Sequence, residues 1–289
     1  MRKAPTFHLD LESWRNMAQS LQHRQLAYES SYNQTIISRI PVIIKIDGRS
    51  FTRVTKNIPK PFCQRTMLLF NSTMVSLAKQ IDGVIFGYQY SDKIILVLRN
   101  DRSADETPWF GNNTQKMSSS AASMATYEFM THMWEMNNPP DLDGSVTFSA
   151  HAFGVPSIKE TINYLLYRQF RCIQNAVDEA VRSVLWNRYG NQTYSILEDK
   201  DMNDRRQILD EAGFEFDSLP SAFRHGSATY LAPAFYPTAQ GQVTRHKWIS
   251  DFSVPLFNDS KEWLNTIITT GSDIFRPERD YDDTLKGSH

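Results

Sequence analysis

Apolar positions along the chain alternate between two periods, and the switches between them mark out the elements. Leu11, Trp14, Met17 and Leu21 recur at helical spacing, which predicts a helix over residues 11–30. The run Pro41–Ile46 is a short apolar strand that ends at Asp47-Gly48. Met67, Phe70, Met74, Leu77, Ala78 and Ile81 trace a second helical stripe from Phe62 to Ile81, with Gly83 placed to stop it. Strands at Val84–Tyr90 and Ile94–Leu98 follow, close enough to form a hairpin around Ser91-Asp92-Lys93. A long helix from about Asn113 to Met136 carries a run of small residues at 118–123, so it can approach a sheet closely. A strand at Val146–Phe153 completes the order strand, helix, strand, strand, helix, strand.

That order is the ferredoxin-like βαββαβ arrangement of an α+β fold, a scaffold that the polymerase palm shares with many unrelated proteins. Its expected extent is residues 1–155, N-terminal helix included. Beyond it the pattern changes. Ser157 and Glu160 form a capping box that opens a helix to about residue 187. The remainder, to residue 289, reads as a mostly helical and loop-rich C-terminal extension.

Composition changes this picture little. With 40% hydrophobic and 22% charged residues, the chain is an ordinary globular polypeptide. No stretch reaches the ~20 consecutive apolar residues of a spanning helix. The N-terminus lacks an apolar leader core. Two widely separated cysteines, Cys63 and Cys172, read as reduced thiols in a cytoplasmic setting. The net charge of −1 gives no overall steering toward nucleic acid, so a basic surface would have to be local. The seven histidines show no zinc spacing, and neither a nucleophile elbow nor a P-loop occurs.

Chain connectivity brings two carboxylates together. A right-handed crossover makes the first and second strands parallel, so both end on the same rim of the sheet. Asp47 closes the first strand, and Asp92 sits in the turn leaving the second. Each aspartate alone reads first as a turn former. Their shared rim brings a second reading level with it. Two neighbouring carboxylates repel unless a cation lies between them, and Mg²⁺ takes one or two carboxylates plus substrate phosphates. A pair of such ions would serve phosphoryl transfer.

Ile46-Asp47-Gly48-Arg49-Ser50-Phe51, Lys60-Pro61-Phe62, Tyr90-Ser91-Asp92, Trp109-Phe110-Gly111 and Gln115-Lys116 occur in that order. Tyr167-Arg168-Gln169 with Asn175, Leu219-Pro220, Phe223-Arg224 and Gly226-Ser227 follow, and Tyr28-Glu29 precedes them. This ordered set, from about residue 11 to 260, resembles the tRNA-histidine guanylyltransferase family, and most of all its bacterial and phage-type branch. The resemblance implies a Mg²⁺-dependent nucleotidyltransferase that extends the 5′ end of tRNA or tRNA-like RNA in the 3′–5′ direction, with ATP and GTP as substrates. It implies two Mg²⁺ ions on Asp47, Asp92 and the Gly48 carbonyl, with Asp47 and Asp92 catalytic. Arg49, Ser50, Phe51, Lys60, Ser91, Gln115 and Lys116 would meet the nucleotide. Lys116 also falls in the first turn of a predicted helix, where free N–H groups favour phosphate. Arg168, Gln169, Asn175 and Arg224 would meet RNA, with the C-terminal region packed on the palm, and the assembly would be a homo-tetramer.

Three departures from the family pattern bear on this. Lys93 stands where the family has Glu, so an ammonium either competes with a cation at the rim or points away from Asp92 toward solvent or phosphate. Phe148-Ser149-Ala150-His151 replaces Phe-Asp-x-Arg, so Ser149 and His151 take the places of a carboxylate and a guanidinium. Arg171-Cys172 and Ile173-Gln174 alter the helix motif. Two alternatives follow: a divergent, non-catalytic palm that binds nucleotide or RNA, or a palm enzyme that acts on NTPs without RNA. The other basic residues, Arg182, Arg188 and Arg205-Arg206, read first as solvated, and Tyr164, Tyr167, Phe170 and Phe223 read as core.

Overall fold

The computed structural model of the chain describes residues 11–238 and 241–273, with side chains from 19 to 234 and from 244 to 273. In chain order the elements are α1 (Leu11–Ser30), β1 (Val42–Gly48), α2 (Phe51–Val54), α3 (Gln64–Gln80), β2 (Val84–Tyr90), β3 (Lys93–Leu98), α4 (Thr114–Glu135) and β4 (Phe148–Gly154). The long α5 (Ile158–Tyr189) then leads to α6 (Gln192–Leu197), α7 (Met202–Glu211), α8 (Ser221–His225), β5 (Ser227–Thr238), β6 (Gly241–Asp251) and α9 (Lys261–Thr270). The expected βαββαβ order is present. The side chains of Leu11, Trp14 and Met17 lie outside the described set, and residues 19–35 of the N-terminal segment are exposed.

All the strands join one sheet of order β4-β1-β3-β2-β5-β6. β1 pairs antiparallel with β3 on one side and β4 on the other. β2 is antiparallel to β3, so β1 and β2 run parallel with β3 between them. β5 and β6 form a hairpin that continues the sheet past β2, an extension the sequence pattern did not reveal. Its prolines hid it. Pro233 and Pro237 cannot donate to a ladder. They sit beyond residue 230, where β5 has run past its contact with β2 and pairs with β6, apart from a single bridge between Leu231 and Ser272.

Both faces of the sheet are covered, which explains the nearly unbroken apolar run of β1. On one face Val42, Ile44 and Ile46 pack with Ile94, Leu96 and Leu98 against Phe70, Met74 and Leu77 of α3 and Met117, Ala121 and Phe129 of α4. The small residues of α4 permit a close approach: Ser118 Oγ accepts from the Ala152 N–H at 3.1 Å. On the other face Ile43, Tyr88, Ile95 and Val97 meet Leu165 and Cys172 of α5 and Trp263, Leu264 and Ile267 of α9. Ser157 caps α5 through the Glu160 N–H at 3.2 Å. At 32 residues α5 is about 48 Å long. Its far half carries Ala176, Val177, Ala180 and Leu185 onto Leu197, Leu209 and Phe216 in a separate small core. That second core holds α5 out as a wall beside the rim where β1 ends.

Candidate active site

β1 delivers Asp47 and Gly48 to the rim. The Gly48 N–H donates to the Asp92 carbonyl at 2.9 Å, stitching the end of β1 to the β2–β3 turn. Asp47 lies opposite Lys93 on β3 and opposite Ser149 on β4. Tyr90 and Lys93 pair directly, so Ser91 and Asp92 form a two-residue turn. Ser91 takes the left-handed φ of 51° that so tight a connection demands. Gln89 Nε2 donates to the Ser91 carbonyl at 3.0 Å and steadies it. Gly48 is also sterically required. A Cβ there would lie 2.4 Å from the Phe51 ring, which is buried among Phe70, Phe129 and Phe148.

Each aspartate carries a lysine. Lys45 Nζ is 2.7 Å from Asp47 Oδ2, and Lys93 Nζ is 2.5 Å from Asp92 Oδ1. Of the two orientations open to Lys93 from sequence, the structure adopts the one beside Asp92. Lys45 was missed, although it is the only polar residue in the apolar run before Asp47. Alternation puts Lys45 and Asp47 on one face of β1.

α5 walls this rim. The Arg168 guanidinium lies over the rings of Tyr90, Tyr164 and Tyr167, at 5.6, 5.7 and 5.6 Å from their centroids. Its Nε is buried without a hydrogen-bond partner. Burial pushes the Tyr90 and Tyr164 hydroxyls up, against the opposing pull of Arg168 and together with a smaller push from Asp47. Between α5, the loop before α3 and the β2–β3 turn lies a cleft of about 880 Å³, with Lys60, Ser91, Asp92, Lys93, Asn175 and Arg182 on its walls. Arg182 lines it while staying exposed, as expected for a solvated helix face, and pairs with Glu179 at 3.4 Å. Cys63, beside Lys60, also lines it.

The remaining expected site residues are spread widely. Arg49 and Ser50 are exposed beside the rim, and Phe51 is core with one edge on the cleft. Gln115 and Lys116 do not reach this rim. The start of α4 is tied to the segment before β1 by Thr114 N–H to the Gln34 carbonyl and by Asn112 Nδ2 to the Ile36 carbonyl. That is the rim where β1 begins and β3 ends. The Lys116 N–H is already taken by Asn113 Oδ1 at 2.9 Å, so it is not a free phosphate donor. Gln169 is no surface RNA ligand in this structure. It is 3% exposed, donates to the Pro255 carbonyl and accepts from the Phe257 N–H. Arg224 Nε donates to the Leu219 carbonyl, and its guanidinium faces Asp217 at 3.5 Å. Arg205 and Arg206 are paired with Asp178 and Asp217. Ser149 Oγ reaches toward the Asp47 carbonyl at 3.5 Å, and His151 is exposed opposite Lys45. Tyr167 and Phe170 are more than half exposed, contrary to the expectation that they are core.

The family model for tRNAHis guanylyltransferase matches residues 23–156, the stretch that builds the rim. A tRNA(His) guanylyltransferase of Arabidopsis thaliana is 26% identical over 200 residues, which is 68% of this chain and 36% of that protein. A bacterial tRNA(His) guanylyltransferase-like protein solved in complex with ATP superposes with a TM-score of 0.70 at 26% identity, covering 86% of this chain and 99% of that one. The same type of protein in complex with GTP gives 0.66 at 27% identity over the same shares. The chain is similar to tRNA-histidine guanylyltransferases over the residues that carry its rim. It spans about a third of the length of the plant relative.

The oxygen donors at the rim suit a hard divalent cation. Among the described residues no group of three or more Asp, Glu, His or Cys side chains is placed to hold a metal ion. Mg²⁺ would therefore rest on the two carboxylates, with phosphate and water completing its shell, which is the usual manner in which it meets nucleotides. Among the described residues no helix is long and apolar enough to cross a membrane.

Proposed function

We propose that the chain is a Mg²⁺-dependent nucleotidyltransferase that adds nucleotides in the 3′–5′ direction to the 5′ end of tRNA or a tRNA-like RNA, in repair or guanylylation. The observation that carries this reading is the convergence of Asp47 and Asp92, from two different elements, on one rim beside a cleft of about 880 Å³ bearing Lys60, Lys93 and Arg182. The likeness to tRNA(His) guanylyltransferases and to solved proteins in complex with ATP and GTP supports a nucleoside triphosphate as the ligand.

In this reading Asp47, Asp92 and the Gly48 carbonyl hold the metal, which supplies neutralisation of phosphate charge. Catalysis of this kind is mostly positioning and electrostatics. Lys60 and Arg182 steady the triphosphate from opposite walls. Ser91 and Asn175 offer hydrogen bonds to its sugar or base. The Arg168 guanidinium, stacked among tyrosines, receives the 5′ phosphate of the RNA end. Residues 1–155 supply the chemistry, and 156–289 supply the wall and the RNA contacts. The exposed apolar side chains Leu21, Leu26 and Tyr28 of α1 give a homo-tetramer its contact surface. Cys63 and Cys172 are free thiols, in keeping with a cytoplasmic site.

The test is to incubate the purified chain with 5′-monophosphorylated tRNA lacking its first nucleotide, labelled NTP and Mg²⁺. Extension that Asp47→Asn abolishes is the expected result. No extension, under conditions where an active relative extends, overturns the proposal. The lysine on each aspartate favours a second reading, a palm that binds nucleotide or RNA without turnover. Tight binding unaffected by Asp47→Asn would select it.

A further inference from the structure

The acidic pair at the rim is already neutralised from within. Two carboxylates, each about four-fifths buried, face two ammoniums that are about three-quarters buried, at 2.7 and 2.5 Å. Among the described residues neither lysine is held by another carboxylate. Lys93 is also the residue directly opposite Asp47, so its charge acts on both aspartates. A divalent cation approaching this rim alone meets two satisfied carboxylates and two positive charges. At the separations involved, unit charges near a protein surface interact strongly enough to change an affinity by one to two orders of magnitude. A triphosphate changes the balance, because it brings several negative oxygens that can receive the ammoniums. Lys93 lies on the same cleft wall as Ser91 and Asp92, so its flexible side chain can pass from the carboxylate to such an oxygen with little movement.

We propose that Lys93 is a resident counter-cation for Asp92 which bars divalent metal from the empty rim and yields to it only when a triphosphate arrives, so that metal enters with the nucleotide and not before it. Lys45 plays the same part for Asp47. Lys93 is thus a positioning residue that sets the order of binding. The inference rests on the reading of Asp47 and Asp92 as the metal carboxylates.

The experiment uses Mn²⁺ as the probe, with binding to the full chain followed by electron paramagnetic resonance, which reads free Mn²⁺ directly and needs no turnover. Wild type is expected to hold Mn²⁺ weakly alone and at least tenfold more tightly with a non-hydrolysable NTP than that NTP alone accounts for. Lys93→Met and Lys93→Glu are expected to bind Mn²⁺ about tenfold more tightly than wild type without nucleotide, with the gap closing once the analogue is added. Circular dichroism confirms that each variant is folded. Suppose the Lys93 variants match wild type without nucleotide, while Asp92→Asn still removes the Mn²⁺ held with the analogue. The counter-cation role then falls and the metal site stands. If Asp47→Asn and Asp92→Asn leave the Mn²⁺ held with the analogue unchanged, the metal site itself falls and this inference with it.

Discussion

Gln169 separates a structural role from an RNA-binding one. Its side chain ties three segments together: it accepts from the Phe257 N–H at 2.7 Å, donates to the Pro255 carbonyl at 3.0 Å and approaches the His225 carbonyl at 3.4 Å. Gln169→Met keeps the volume nearly constant, so the cavity contribution is small and the hydrogen bonds dominate. An N–H left buried without an acceptor costs about 1–3 kcal/mol, and each lost ordinary bond about 0.5–1.5 kcal/mol. The long 3.4 Å contact adds little, so the expected loss is roughly 2–4 kcal/mol. Against a typical total of about 5–15 kcal/mol, that is a large fraction. Urea unfolding followed by tryptophan fluorescence measures it as a lower midpoint at unchanged slope. A change below about 0.5 kcal/mol, the ordinary range for surface positions, together with a tenfold loss of tRNA affinity, would refute the reasoning and return Gln169 to the RNA surface.

The other expectations concern the rim and the cleft. Gly48→Ala puts a methyl 2.4 Å from the Phe51 ring, so overpacking should cost about 1–3 kcal/mol and disturb the rim, which thermal melts and NTP binding together can detect. Burial works to raise the Cys63 thiol, but the polar groups of Thr66 and the neighbouring backbone, with the charge of Arg65, outweigh it and leave the thiol lowered. Burial pushes Cys172 up to about 12. Iodoacetamide should therefore label Cys63 at pH 7 and spare Cys172. The Cys63 rate should level off at a lower pH than that of a free thiol, and bound NTP should protect it; mass spectrometry of the two peptides reads each outcome. Arg168→Met keeps the apolar stem and removes the guanidinium, whose Nε has no hydrogen-bond partner to lose, so the fold should survive while affinity for a 5′-phosphorylated RNA end drops about tenfold, the scale of one charge-assisted hydrogen bond. Filter binding that shows no change would remove Arg168 from the site.

The parts of the fold legible from sequence were those where local pattern and tertiary environment agree. The stripe of α3, the Ser157 cap of α5 and the shared rim of Asp47 and Asp92 all followed from spacing and connectivity. The reciprocal half of the expected capping box is not formed, and Glu160 Oε1 accepts from Asn163 Nδ2 instead. β5 stayed hidden because Pro233 and Pro237 contradict a central strand, and only the structure shows that by then β5 has left β2. Lys116 illustrates a different gap. A helix N-terminus is readable in sequence, but which rim of the sheet it stands on depends on packing of the segment before β1. Gln169 sat within a motif-like stretch, and its inward orientation is set by which face α5 presents to residues 254–257, nearly ninety positions later. Lys93 could not be oriented from alternation alone because it stands at the first position after a tight turn.

β1 is hydrogen-bonded on both flanks along nearly its whole length, by β3 and by β4. The main chain that presents Asp47 therefore has no freedom to adapt to different guests. Any accommodation must come from the opposite bank: the proline-bounded stretch at 59–61 and the outer turns of α5, which lean on their own small core. Amide exchange should find an anvil on one side, slow to open, and on the other a jaw that opens independently and sets how large a guest can be admitted.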